Sequence, residues 1–195
     1  MRGESALERR FWTFWLVGIL LLAAQIVMNI WPITDASPLG ISDHQAAGSA
    51  ARVDVIHAGW AAAGVKDLAI YSMELDLMFI VVYAWGAFAG GRMFAASSSA
   101  MLARLGKVVM IATIGFAISD FAETISQLIQ AAGTGGVDLL ANIAAKMRPI
   151  KTILFLVTFL VCWSRSALDE WRVTSLDGAG RKFHQRGILF VRNLT

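Results

Sequence analysis

Residues 11–31 read FWTFWLVGILLLAAQIVMNIW, an apolar run without a single charged side chain. At a rise of about 1.5 Å per residue, a helix of this length crosses the roughly 30 Å hydrocarbon core of a bilayer. Arg9 and Arg10 precede the run and Pro32 follows it. The apolar region of a signal peptide is shorter and ends at small residues, so we expect this helix to be retained as a membrane span.

Three further apolar blocks follow, at about 68–88, 108–131 and 149–163. The chain is 57% hydrophobic and 16% charged, whereas average globular proteins are about 25% charged. The apolar residues are also gathered into blocks rather than spread at amphipathic spacing. The sequence therefore predicts an all-α protein with one membrane domain over residues 1–195, a bundle of four transmembrane helices.

A polar connection between the first two spans carries its own helical pattern. We expect a short interfacial helix over about 43–63, capped by Ser42 or Asp43 and stopped at Gly64. Trp60 is expected to anchor this helix at the membrane surface, where tryptophan is enriched.

Basic residues beside the spans predict the orientation of the chain. Twelve of the 17 lysines and arginines lie in the N-terminus, in the loop 89–107 and in the tail 165–195. Since cytoplasmic loops carry the excess of lysine and arginine, we expect both chain ends to be cytoplasmic in a plasma (inner) membrane. The lipid bilayer is the predicted partner, and the net charge of +3 requires no nucleic acid.

Ionisable residues inside the spans are the main functional signal. Helical rise places Asp76, Asp120 and Lys151 about 9–12 Å below the same, non-cytoplasmic boundary. Glu123 shares a helix face with Asp120. Such residues cost about 2.5–3.5 kcal/mol each on insertion scales and usually face the bundle interior with a partner. We predict a layer of candidate catalytic residues: Asp76, Asp120, Glu123 and Lys151.

Further polar residues surround this predicted layer. The candidate ligand-binding residues are Arg148, Tyr83, Gln25, Gln127 and Glu74. Glu74 lies two residues from Asp76, about 200° around the helix at about 100° per residue, so both cannot point inward. We expect Asp76 to point inward and Glu74 to turn toward the outer loop.

Redox cofactors are not expected. Cys162 is the only cysteine, which excludes an internal disulfide, and His44, His57 and His184 all lie outside the predicted spans, where they cannot hold a haem between helices. Asp54 and His57 have a spacing that could ligate a metal, but two solvated side chains on an interfacial helix are the favoured interpretation. No spacing selects a particular ion.

A set of spaced residues runs through much of the chain. These are Ala51, Ile56, Trp60 and Gly64, then Asp76, Phe79 and Tyr83 as D-x-x-F-x-x-x-Y, then Asp120 and Glu123 as D-x-x-E, and finally Lys151. In this set the chain resembles small bacterial four-helix membrane proteins of uncharacterised function. The resemblance implies a four-helix membrane fold and no particular reaction.

Three classes of function fit these patterns. The first is an embedded site in the outer half of the bundle that binds or processes a small or lipid-like ligand, with Asp76 and Asp120 as acid/base or cation-binding groups. The second is a proton- or ion-coupled carrier, for which four spans would need to assemble as a homo-oligomer. The third is a structural or assembly protein whose buried charges only lock the helices together.

Overall fold

The computed structural model describes residues 6–164, which are largely helical. Four of the helices are long and apolar enough to cross a membrane, and two shorter ones lie between the first and second of these. The predicted four-span fold is confirmed. In chain order the helices are α1 (Ala6–Met28), α2 (Ile41–Gln45), α3 (Ala50–Ala62), α4 (Lys66–Ala95), α5 (Ala100–Ala132) and α6 (Asp138–Ser164).

The long helices extend beyond the predicted spans. The helix α4 continues seven residues past the expected end at 88, and α5 begins eight residues before 108. Hydropathy marks only the part of a helix that crosses hydrocarbon, whereas backbone hydrogen bonding continues into the polar interface. The last span also begins earlier, because α6 starts at Asp138 and passes through Pro149 without ending.

The described chain divides into two units at residue 158. Within the first unit, α4 packs against both α1 and α5. Glycine permits both close approaches: a Cβ atom at Gly86 would lie 3.0 Å from the backbone nitrogen of Trp15, and one at Gly106 would collide with the backbone of Gly91 and Ala95. Of the second unit, residues 159–164 are described, and in them Phe159 stacks on Trp163.

An aromatic core joins the long helices in the half of the bundle away from α2 and α3. The ring of Tyr83 lies 5.1 Å from that of Phe116 and 5.0 Å from that of Phe155. Phe79, Phe116 and Phe155 also contact one another, at centroid distances of 5.9 to 6.4 Å. The aromatic core consists of Trp15, Phe79, Tyr83, Phe116 and Phe155.

The connection between α1 and α4, residues 29–65, forms a cap over one end of the bundle. The predicted short helix between the first two spans is present as α3. It starts later than the predicted residue 43, because Gly48, at φ 68°, separates it from α2. Glycine adopts this left-handed backbone without steric cost. The N-cap of α3 is Ser49, whose hydroxyl accepts the backbone N–H of Arg52. The helix ends before Gly64, as predicted.

Trp60 is a core residue of the cap rather than the predicted interfacial anchor. Its side chain is completely buried, and its indole N–H is directed at the carbonyl of Pro32 (2.8 Å) and the hydroxyl of Ser37 (2.9 Å). A buried indole needs such an acceptor. The cap is therefore a packed structure with its own polar anchor.

The cap is also joined to the turn between α5 and α6. The backbone N–H of Gly136 donates to Asp54 at 2.6 Å, and the backbone N–H of Ala50 donates to Asp138 at 2.7 Å. These two hydrogen bonds hold α3 against the start of α6 and keep the cap over the ends of the spans.

Candidate functional site

One face of α5 is polar and buried. Asp120, Glu123, Gln127 and Gln130 are each at most 2% exposed, and their spacing places them on a single stripe of the helix. Gln127 Nε2 donates to Glu123 Oε1 at 3.0 Å, one turn along the stripe. The helix thus presents two carboxylates and two amides to the bundle interior.

Lys151 on α6 meets this stripe. Its ammonium donates a hydrogen bond to Asp120 at 2.5 Å and forms an ion pair with Glu123 Oε2 at 3.0 Å. That second contact lacks hydrogen-bonding geometry, so Glu123 Oε2 is buried without a hydrogen bond. The structure therefore brings Asp120, Glu123 and Lys151 together at one depth.

Asp76 on α4 joins the same layer through a different contact. Its carboxylate accepts a hydrogen bond from the Thr124 hydroxyl at 2.8 Å. Thr124 lies one residue beyond Glu123 and one turn beyond Asp120 on α5. Within residues 6–164, Lys151 forms its ion pairs with Asp120 and Glu123 rather than with Asp76. We call Asp76, Asp120, Glu123 and Lys151 the charged layer.

A polar cavity of about 190 Å³ adjoins the charged layer beneath α2. Asp76 supplies its only carboxylate among the described residues that line it. Gln25, a predicted ligand-binding residue, lines the cavity and exchanges hydrogen bonds with the hydroxyl and carbonyl of Ser72. We call this space the embedded cavity; its lining is Gln25, Ile26, Asn29, Ile41, Ser42, Gln45, Ser72, Met73, Asp76, Thr124 and Gln127.

Three predicted ligand-binding residues lie away from this cavity. Glu74 is exposed and does not line the embedded cavity. Tyr83 belongs to the aromatic core, where its hydroxyl lies 2.8 Å from that of Thr158. Arg148 is partly buried and its side chain makes no hydrogen bond or ion pair with the rest of residues 6–164.

Two histidines that sequence reasoning set aside are buried beneath the cap. His44 is 1% and His57 7% exposed, so the solvated position expected for His57 is wrong. Their Nε2 atoms lie 2.9 Å apart, and both rings pack against Trp60. One signal in the sequence could have revealed this: His57 shares a helix face with Val53 and Trp60 at spacings of four and three residues.

The histidine pair connects the cap to the charged layer. His44 Nδ1 lies 3.5 Å from Gln127 Oε1, and Gln127 in turn donates to Glu123. A continuous series of polar contacts therefore runs His57, His44, Gln127, Glu123, Lys151.

Burial sets the charge of both histidines. It lowers the pKa of His44 to about 4, and the neighbouring His57 lowers it further while the contact with Gln127 acts in the opposite direction. Burial and the positive charge of Lys66 also lower the pKa of His57, against the opposing effect of Asp54. Both rings are thus neutral at neutral pH.

Residues 6–164 contain no group of three or more His, Cys, Asp or Glu side chains placed to hold a metal ion. Asp54 instead accepts the backbone N–H of Gly136.

No family model, curated protein or solved structure matches the chain.

Proposed function

We propose that this multi-pass membrane protein binds a small polar molecule with a cationic group, an amine or quaternary ammonium, in the embedded cavity, with Asp76 as its counter-charge. The observation that carries the proposal is a charge imbalance. Among the residues that the structure describes, the charged layer combines three carboxylates, those of Asp76, Asp120 and Glu123, with one ammonium, that of Lys151. Fully ionised, the charged layer would hold a net charge of −2.

An uncompensated charge at membrane depth is costly, so protons or a bound cation must balance the layer. Lys151 is already engaged by Asp120 and Glu123. Within residues 6–164, Asp76 accepts a hydrogen bond only from a neutral donor, Thr124, and it lines the cavity. It is therefore the carboxylate available to a ligand.

The embedded cavity matches this ligand class in size and polarity. A cavity of about 150 Å³ can accommodate a benzene molecule, and the embedded cavity has about 190 Å³. Amide and hydroxyl groups occupy most of its polar lining, which suits hydrogen-bonding substituents on the ligand. The same chemistry occurs in a free amine and in the headgroup of an amine-containing lipid.

Direct binding tests the proposal. Full-length protein in phosphatidylglycerol nanodiscs is titrated by calorimetry with ethanolamine, choline and tetramethylammonium. We expect wild type to bind at least one of them and Asp76→Asn to bind at least about tenfold more weakly, a change of about 1.4 kcal/mol. Glu74→Gln is the matched control, because it removes an exposed carboxylate two residues away.

Nanodiscs that contain phosphatidylethanolamine distinguish the two sources of the ligand. If a lipid headgroup occupies the cavity, this lipid will compete with the free amine in wild type and be retained in native mass spectra. Equal binding by wild type, Asp76→Asn and Glu74→Gln, or no binding by any of them, would contradict the proposal.

A purely structural role is the second candidate, and the double engagement of Lys151 favours it. In that case the charged layer locks α5 to α6. The stability of a double variant, described in the Discussion, distinguishes this role.

We also propose that the cap faces away from the cytoplasm, in the plasma (inner) membrane. The proposal rests on the excess of basic residues at the opposite end of the spans. Asp35 lies exposed in the cap, so Asp35→Cys in a Cys162→Ser background should react with an impermeant maleimide added outside intact cells. Labelling only after lysis would show that the cap faces the cytoplasm and would contradict the proposed orientation.

A further inference from the structure

A second cavity lies at the capped end, between α3 and the turn that follows α5. It has a volume of about 260 Å³, and we call it the loop cavity. His57 is part of its wall, together with Asp54 and Lys66, whose charges act on its ring, and its Nε2 contacts His44 in the interior. The residues that line the loop cavity are Asp54, His57, Ala58, Ala61, Lys66, Gly133, Thr134 and Gly135.

The direction of the hydrogen bonds fixes where the protons of the two rings are. Gln127 donates its Nε2–H to Glu123, so its carbonyl oxygen faces His44 and can only accept. Nδ1 of His44 therefore carries a hydrogen, and its Nε2 accepts. It follows that Nε2 of His57 is the donor across the 2.9 Å contact.

Nδ1 of neutral His57 is then an unprotonated base. It makes no hydrogen bond with the other residues of the described chain, 6–164, and its ring lines the loop cavity. The charged groups nearest to this ring are Asp54 on its own helix and Lys66 at the start of α4. On the interior side, the nearest are His44 on α2 and, beyond Gln127, Glu123 on α5.

We infer that the loop cavity is a proton-transfer site, in which Nδ1 of His57 accepts a proton from the surrounding solution. The histidine pair then carries the positive charge to His44, which contacts Gln127 in the wall of the embedded cavity. A hydronium ion supplies the proton to Nδ1 of His57 and leaves as water. The Nε2–H bond of His57 then breaks as its proton passes to Nε2 of His44. His57 ends neutral, with its hydrogen on Nδ1, and His44 ends as the imidazolium.

This transfer places a positive charge beside Gln127, which lines the embedded cavity. A cation in that cavity and a proton on His44 repel each other, so each should weaken the binding of the other. The competition rests on the proposed function, whereas the proton transfer itself does not. The lowered pKa values of both histidines place the transfer at acidic pH.

Nitrogen-15 NMR of histidine-labelled, full-length protein in nanodiscs tests the transfer without any ligand. At pH 7.5 we expect the Nδ1–H tautomer for His44 and the Nε2–H tautomer for His57. On acidification His57 should gain a hydrogen on Nδ1 as His44 becomes charged. An Nε2–H tautomer for His44 at neutral pH would overturn the inference.

Two variants test the route. In His57→Gln, proton exchange at His44 should slow at least about tenfold, and in Lys66→Gln the midpoint for proton uptake by the pair should move to higher pH, because a repelling charge is gone. The matched control is His184→Gln, which removes the third histidine of the sequence. Unchanged exchange at His44 in folded His57→Gln would contradict the transfer.

Binding measured against pH tests the competition. Because the pKa of His44 is about 4, about half of the protein carries this charge at pH 4. Affinity for ethanolamine should therefore be about twofold lower at pH 4 than at pH 7.5 in wild type, the effect of one nearby charge, and should change less in His44→Gln. If ethanolamine binds with no pH dependence, the competition is wrong. If ethanolamine binds to neither wild type nor His44→Gln but the tautomers of His44 and His57 are as expected, the proposed function is wrong and the proton-transfer site stands.

Discussion

The capped half and the aromatic half of the bundle use the same three helices in opposite ways. On α4, α5 and α6 the capped half holds Asp76, Asp120 and Lys151, and about one turn further from the cap each helix carries a phenylalanine. These are Phe79, Phe116 and Phe155, whose rings contact one another. One half contains charges and a cavity, whereas the other is packed with rings.

The difference shows that the charged layer is not needed to hold these helices together at every level. Ring packing and close glycine contacts join α4 to its neighbours in the aromatic half without any charge. The capped half instead combines buried charge with open space. Stability measurements can test how far the two halves differ.

The largest effect is expected at Lys151. The variant Lys151→Met leaves two buried carboxylates without their counter-ion, which should lower the free energy of unfolding by about 3–5 kcal/mol. Thermal unfolding in detergent, with the pH held constant, measures the loss.

The double variant Lys151→Met/Asp120→Leu distinguishes a lock from a working site. If the charged layer only locks α5 to α6, the double variant should be more stable than Lys151→Met alone and retain function. If the layer also holds the proposed ligand, the double variant should still bind ethanolamine, because it keeps Asp76 in the wall of the cavity, whereas Asp76→Asn should not. Additive losses without any coupling would contradict the pairing of Lys151 with Asp120.

Acid should destabilise the capped half next. The pKa of His44 is about 4 in the folded protein and about 6.5 in an unfolded chain. Between these values the unfolded chain binds more protons, so stability falls as the pH drops, by up to about 3 kcal/mol in total. Melting temperatures from pH 7.5 to 4 should decline more steeply in wild type than in His44→Gln; parallel curves would exclude this histidine as the cause.

A smaller effect is expected at Trp60. Trp60→Phe removes the N–H that meets Pro32 and Ser37 and should cost about 1–2 kcal/mol. Hydrogen exchange followed by mass spectrometry should show faster exchange in residues 32–64, with the exchange of residues 79–91 unchanged. Faster exchange in both segments would mean that the cap and the spans unfold together.

The smallest effect is expected in the aromatic half. Tyr83→Phe removes the hydroxyl contact with Thr158 but keeps the ring, so the loss should be about 0.6 kcal/mol, the average for hydrogen bonds between membrane helices. Binding of ethanolamine should not change. A large loss of binding would show that the aromatic core belongs to the site.

The sequence predicted the spans and the charged layer because both are unusual in composition. Four apolar blocks are visible in any hydropathy reading, and Asp120 or Lys151 within such a block is conspicuous because charge is rare there. The shared depth of these groups follows from helical rise alone, since each span begins at a recognisable boundary.

The cap could not be predicted in the same way. His44 and Trp60 lie in a polar connection, where burial depends on how α2 and α3 fold onto the ends of the spans. The pattern of Val53, Ile56 and Trp60 marks an apolar face, but periodicity does not reveal whether protein or lipid covers it. The contact between His44 and Gln127 joins residues 83 positions apart, and only the tertiary structure brings them together.

The three phenylalanine rings beneath the charged layer have a consequence for the passage of water and ions along the bundle. Water, protons and hydrated ions pass poorly through a constriction lined with aromatic side chains, because dewetting of such a constriction closes it. On the proposed function, a ligand of the embedded cavity would therefore leave on the side of the bundle from which it entered. On the same proposal, the protein would bind and release its ligand on one face of the membrane, and passage across the membrane would require Phe79, Phe116 and Phe155 to move apart.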